Sequence, residues 1–280
     1  MSQLSVVSET DRQRYRERGV VALRGVLSAD IVNALAAPVA RAVAGPDTVD
    51  LSALGDALTG TSIEGGDRGR FRSGVDHWRT DEDMAAFALT SPLPAIVAQL
   101  LEASKLSLYE DSILVKEPNS REPTMFHQDH PYFSVVGEQV CTTWIPLDQV
   151  TRETGGIGYV VGSHLDDTEW RPNLFVTRDP IPGATGRDVP DYHIDDQGRE
   201  IEWVEATPGD VVVHHSRTLH GAGPNRSATQ ARRAVSVRYC GDGVTFRSRA
   251  VTPKPHHESM AEGEPLHPPA FPIAWPPPAE

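Results

Sequence analysis

The stretch TMFHQDHPYF, residues 124–133, sets two histidines and an aspartate within four positions, with aromatics on both sides. Of these, His127 and Asp129 have the spacing that matters. On an extended strand, positions i and i+2 point to one face, so an imidazole and a carboxylate would converge on a common point. Taken alone the triplet says little, because a solvated histidine beside an aspartate is the bland alternative. A third leg is offered by PGDVVVHHSRTLHGAGPNRS, residues 208–227, where His220 ends a strand-like run and is followed by Gly221 and Gly223. Glycines there would let the backbone turn sharply and leave space beside the ring. Two histidines and one carboxylate form a facial triad that leaves open positions on the far side of a metal. Non-haem Fe(II), which must hold a cosubstrate and oxygen together, suits that arrangement.

The elements that would position these residues come in two textures. Residues 8–18 read as a short helix, capped by Ser8 or Thr10 and ended by Gly19; residues 20–27 read as a strand. Ser28 caps a second helix that runs at helical spacing to Gly45. Residues 46–75 read as a long loop, and a helical region over about 82–103 is broken near Ser91-Pro92. From residue 106 to about 250 the chain becomes a series of short β-rich runs divided by Gly, Pro, Asn and Asp. Helices first and many short strands later predict a mainly β chain, a sandwich or barrel dressed by N-terminal α-helices. No linker divides it, so 1–280 is expected to be a single domain, with 8–105 a helical support, 106–250 the β core and 251–280 a Pro-rich segment. That last segment is a tail or a packed strand; Phe271, Ile273 and Trp275 favour packing of 264–276 through Phe271 and Trp275.

Composition narrows the partners. The 280 residues include 39 acids against 26 lysines and arginines, a formal charge of −13. Such a chain is repelled by phosphate backbones and anionic bilayers, so neither nucleic acid nor membrane is an expected partner. Its two cysteines, Cys141 and Cys240, sit in apolar runs and read as buried thiols. The N-terminus has no apolar signal core, and no apolar run approaches a membrane span, which points to the cytoplasm.

The ordered series FHQDHPYF, WIPLD, TGGIGYVVGSH, ATPGDVVVHH, LHGAGPNRS and RRAVSVRY resembles the phytanoyl-CoA dioxygenase family, over roughly residues 8–250. That resemblance implies a double-stranded β-helix (a jelly roll, cupin-like) and an oxygenase that uses Fe(II), 2-oxoglutarate and O2. It implies His127, Asp129 and His220 as the metal ligands. His130, His214 and His215 fall outside the motif, and relatives often carry Phe-His where His214-His215 stand. 2-Oxoglutarate has a far carboxylate that wants a planar, bidentate cation. Family spacing puts that arginine at Arg232, with Arg233 beside it. On a strand, Arg232 shares its face with small Ala234 and Ser236, whereas Arg233 shares the bulky Val235, Val237 and Tyr239. Gln128 and Trp144 match positions that line the cosubstrate pocket in relatives, and Lys116 and Tyr132 do so less closely. No catalytic residue beyond the metal ligands is implied.

The chemistry implied is hydroxylation of an unactivated C–H bond of a small organic molecule, such as a secondary metabolite, with succinate and CO2 as coproducts. Halogenating relatives replace the carboxylate with a small residue, so Asp129 argues against halogenation, though not against desaturation, ring formation or epimerisation. Loops 46–80 and 165–200 are expected to wall the substrate pocket, with Arg70, Arg72, Trp78, Trp170, Phe175 and Tyr192. Arg72, Trp78 and Arg238 are the substrate-binding candidates. The competing class is a non-oxidative jelly-roll metal enzyme or a small-molecule binding module, which would need no Arg232 fork.

Overall fold

Ser8 starts the first helix, α1 (Glu9–Arg18), through a reciprocal capping box with Asp11, and Gly19 ends it at φ 77°. The computed structural model describes residues 6–60, 68–249 and 253–277. Strand β1 (Val20–Leu23) is shorter than the run that suggested it. The helix expected to reach Gly45 unbroken divides into α2 (Ala29–Ala34) and α3 (Ala36–Ala44). Pro38 accounts for the break, because it has no N–H to give the Ala34 carbonyl. The supposed long loop holds β2 (Thr48–Asp50), α4 (Leu51–Thr59, capped by Asp50) and β3 (Phe71–Val75). Strands of three and five residues carry too little periodicity to be read. Residues 61–67 of that stretch lie outside the described residues.

Helices α5 (Glu82–Thr90) and α6 (Leu93–Leu101) part at Ser91-Pro92, as the sequence suggests. One expectation needs correcting here. Glu82–Leu101 together is long and apolar enough to cross a membrane by composition, with mean hydropathy 1.6. Its side chains Met84, Phe87, Leu93, Ile96 and Val97 are buried in the core that the helices share with a sheet. That core is the physical use of their apolarity.

The remaining strands are β4 (Leu106–Lys116), β5 (Thr124–His127), β6 (Val135–Val136), β7 (Val140–Pro146) and β8 (Ile157–Val160). They continue as β9 (Ile201–Val204), β10 (Val211–His215), β11 (His220–Ala222), β12 (Arg232–Cys240), β13 (Thr245–Phe246) and β14 (Ile273–Trp275). A larger antiparallel sheet runs β1-β10-β7-β12-β4-β3-β2, with β14 also paired to β4; a smaller one runs β5-β11-β8-β9, and β6 pairs with β13. The two main sheets form the double-stranded β-helix. Strand alternation sorts the side chains. Val235, Val237 and Tyr239 of β12 and Val211 and Val213 of β10 join the helix-side core. Ala234 and Val212 meet Trp144, Ile157 and Tyr159 between the sheets.

The Pro-rich end is a packed strand. Ile273 pairs with Ser107 on β4, Phe271 is fully buried and stacks on Tyr109 at 5.6 Å between ring centroids, and Trp275 packs on the helix-side core. Cys141 and Cys240 are buried free thiols.

Candidate metal centre

His220 on β11 lies directly opposite His127 on β5 in the antiparallel register. Gly221 makes this pairing close: a Cβ there would sit 2.6 Å from the Phe126 ring and 2.9 Å from the Thr124 carbonyl. The glycine admits a neighbouring strand and does not make the sharp turn expected of it. Asp129 arrives by another route. β5 ends at His127, and Asp129 has helical backbone angles, φ −71° and ψ −37°, at the head of a 3-10 turn. The turn, not strand alternation, swings the carboxylate back to the histidines.

Asp129 Oδ1 lies 3.6 Å from His127 Nε2 and 3.8 Å from His220 Nε2. One donor atom from each of the three residues falls within 4.8 Å of the others, and all three residues are buried. The ring tautomers are set by the backbone: His127 Nδ1 is 2.8 Å from the Met125 carbonyl and His220 Nδ1 is 2.9 Å from the Thr218 carbonyl. A carbonyl only accepts, so each Nδ1 carries the proton and each Nε2 offers a lone pair to the shared point. Burial, helped by the neighbouring His214 and His127, pushes the His220 imidazole well below its ordinary pKa, so it is neutral. Burial opposes ionisation of Asp129, but the rings of His220, His127 and His214 around it hold the acid well below the usual carboxylate range. A neutral His220 beside an ionised carboxylate is the protonation state that a divalent cation requires. The donor set fits Fe(II).

The cavity beyond the triad runs between the sheets past Leu114, Trp144, Ile157 and Ser236 to Arg232. Arg232 is 1% exposed. Its Nη1 donates to the Leu114 carbonyl at 3.3 Å, while its Nε has no partner among the described residues. Burial lowers it only to about 10, so it stays charged. The Tyr159 hydroxyl is also buried without a partner among the described residues, and it is within electrostatic reach of Arg232. A buried cation with spare donors is costly until an anion meets it. That is the fit expected for the far carboxylate of 2-oxoglutarate. Arg233 points the other way and forks Asp148 through Nε at 2.9 Å and Nη2 at 2.6 Å.

Several other candidates are placed differently. Trp144 lines the cavity, with the Arg232 guanidinium 5.8 Å from its ring centroid. Lys116 lies opposite Arg232 in register, but its ammonium is committed to the Glu122 and Gly223 carbonyls at 2.9 and 2.6 Å. Burial and Arg232 depress it well below the ordinary lysine range. Tyr132 donates to the Asn173 carbonyl and turns its ring edge to His127, 5.7 Å between centroids, so it braces a ligand. Gln128 must be corrected: it donates to the Arg217 carbonyl at 2.6 Å and lines an outer cleft with Pro131 and Arg217. Arg72 and Trp78 must be corrected too. Arg72 sits on edge strand β3 near Glu117, at 3.9 Å, and Trp78 packs on the helix-side core under Arg79. Of the expected wall residues, Phe175 reaches the cavity and lies 4.8 Å from His127 between ring centroids. Trp170 and Tyr192 pack with Phe126 elsewhere. Arg238 lines the cavity, held by Ser112 at 2.7 Å and Glu110 at 3.4 Å.

The sequence reading missed Thr142, Tyr159 and His214 as parts of this centre. Thr142 Oγ1 donates to Asp129 Oδ2, and His214 Nε2 stands 3.3 Å from the same oxygen. The signal for His214 was its parity with Val212 on β10, which puts both on the inner face.

A double-stranded β-helix with a buried His-Asp-His centre and, in the same cavity, a buried arginine in no ion pair among the described residues defines an Fe(II)- and 2-oxoglutarate-dependent dioxygenase. Residues 15–234 match the family model described as phytanoyl-CoA dioxygenase, and the chain belongs to that family. It is 27% identical over 231 residues to a 1-deoxypentalenic acid 11-beta-hydroxylase of Streptomyces arenae, covering 80% of this chain and 77% of that protein. Among solved structures, it is similar to the non-heme alpha ketoglutarate dependent carbocyclase SnoK from nogalamycin biosynthesis. That match has 28% identity, a TM-score of 0.69, and covers 98% of this chain and 100% of the other. The epimerase SnoN, in complex with Fe3+, alpha ketoglutarate and nogalamycin RO, matches with 25% identity, a TM-score of 0.69 and coverage of 95% and 98%.

Proposed function

We propose that the chain hydroxylates an unactivated C–H bond of a small organic molecule, with 2-oxoglutarate converted to succinate and CO2. The observation that carries this reading is the pairing of two backbone-fixed imidazoles and Asp129 Oδ1 with a buried, uncompensated Arg232 in one cavity. His127, Asp129 and His220 would hold the iron; Arg232, with the Tyr159 hydroxyl, would hold the far carboxylate of 2-oxoglutarate, and Trp144 would wall its chain. When bound, iron and 2-oxoglutarate supply the oxidising power from O2, and the protein's part is orientation and exclusion of bulk water. A non-oxidative metal enzyme has no use for an arginine buried at that cost.

Substrate would lie on the Phe175 and Arg238 side. Arg238 shares a face of β12 with Arg232, six residues away, or about 20 Å along a strand. Its Nε has no partner among the described residues, and that N–H would meet an acidic or carbonyl oxygen of the substrate. The names of the relatives favour a cyclic natural product, and their variety keeps ring closure and epimerisation as the second reading. Incubation with Fe(II), O2, 2-oxoglutarate and a panel of such molecules tests both. The expected result is succinate release matched by a product one oxygen atom heavier. A product of unchanged mass would replace hydroxylation by epimerisation, one two hydrogens lighter by ring closure or desaturation, and turnover without 2-oxoglutarate would overturn the class.

A further inference from the structure

Asp129 has two oxygens, and they have different surroundings. Oδ1 faces His127 Nε2 and His220 Nε2. Oδ2 faces away and meets two groups of the larger sheet: the Thr142 hydroxyl and His214 Nε2, at 3.3 Å. Thr142 and His214 are register partners on β7 and β10, so the sheet presents them side by side. His214 is 2% exposed. An ionised carboxylate only accepts, which puts the shared proton on Nε2 of His214.

The arithmetic of coordination gives this asymmetry a purpose. An octahedral ion has six positions. Two imidazoles and one carboxylate oxygen would take three, and the others would be left for 2-oxoglutarate and O2. A carboxylate that bound through both oxygens would fill a fourth position and leave no place for one of the two. We infer that His214 is a positioning residue that, with Thr142, fastens Oδ2 to the sheet so that Asp129 meets the metal through Oδ1 alone. The inference rests on the metal-centre reading.

The test uses the metal-free protein titrated anaerobically with Fe(II), and with Co(II), whose visible spectrum reports coordination number. His214→Phe removes the donor, and His214→Gln keeps an N–H near the position of Nε2. In His214→Phe the Fe(II) affinity is expected to fall about tenfold or more, the usual range for such outer partners, and the Co(II) spectrum to change. In His214→Gln both are expected to return close to wild type, which a role in packing alone would not produce. Equal affinity and an identical Co(II) spectrum in His214→Phe and wild type would overturn the inference. If His214→Phe does not fold, His214→Leu, which fits within the imidazole's space, carries the same comparison. Wild-type protein that binds no Fe(II) would overturn the metal centre itself, a distinguishable failure.

Discussion

Asp129→Ala and His220→Ala are each expected to abolish turnover, whereas His130→Ala keeps its iron and its activity. The triad is the proposed donor set, and no other group of three or more His, Cys, Asp or Glu side chains is so placed among the described residues. Removing one ligand forfeits several kcal/mol of stabilisation, about a thousandfold or more in rate. His130, though adjacent to Asp129 in sequence, faces the outer cleft, where the Ser216 hydroxyl lies 3.4 Å from its Nδ1. Metal analysis of the purified variants is the direct check. Iron retained in full by His220→Ala, or lost from His130→Ala, would mean that the donors are misassigned.

The second large effect separates two adjacent arginines. Arg232→Ala is expected to raise the 2-oxoglutarate concentration needed for succinate formation, and Arg233→Ala to leave it nearly unchanged. Losing one partner of a buried, charge-assisted pair costs about 2–5 kcal/mol, which is tens- to thousands-fold in apparent affinity. Arg233 has its fork occupied by Asp148 on the half-exposed outer side of the strand, so its loss acts on that surface pair, commonly worth about 1 kcal/mol or less. A Michaelis analysis in 2-oxoglutarate decides it. An unchanged requirement in Arg232→Ala with a large rise in Arg233→Ala would move the cosubstrate to the other face of β12.

Much of the centre was legible because its information is local. The motifs FHQDHPYF and LHGAGPNRS contain the three residues that the fold brings together, and alternation along RRAVSVRY separates Arg232 from Arg233. Other parts depend on tertiary packing. Nothing in the sequence says that the chain turns helical after His127, so strand alternation named the right neighbour of His127 by the wrong geometry. The same alternation, carried one residue, already sends Gln128 outward, against the position the resemblance assigned it. Trp78 and Arg72 are aromatic and cationic residues in a supposed loop, and only the fold reveals that this stretch packs as β2, β3 and a turn beside the helices. The sequence marks His214 only by parity, because its importance lies in a bond to Asp129, 85 positions away. Phe271 and Trp275 did outweigh the prolines around them, since proline-rich chain loses less entropy on ordering and two aromatic rings suffice to anchor it.

The central claim is that iron and 2-oxoglutarate meet at one centre in this cavity. The most direct measurement is the visible spectrum of the protein mixed anaerobically with Fe(II) and 2-oxoglutarate. A weak charge-transfer band is expected that saturates at one equivalent of each, is absent from Asp129→Ala and His220→Ala, and needs far more 2-oxoglutarate in Arg232→Ala. Wild-type protein that gives no band, or a band that survives loss of Asp129 and His220, would contradict it.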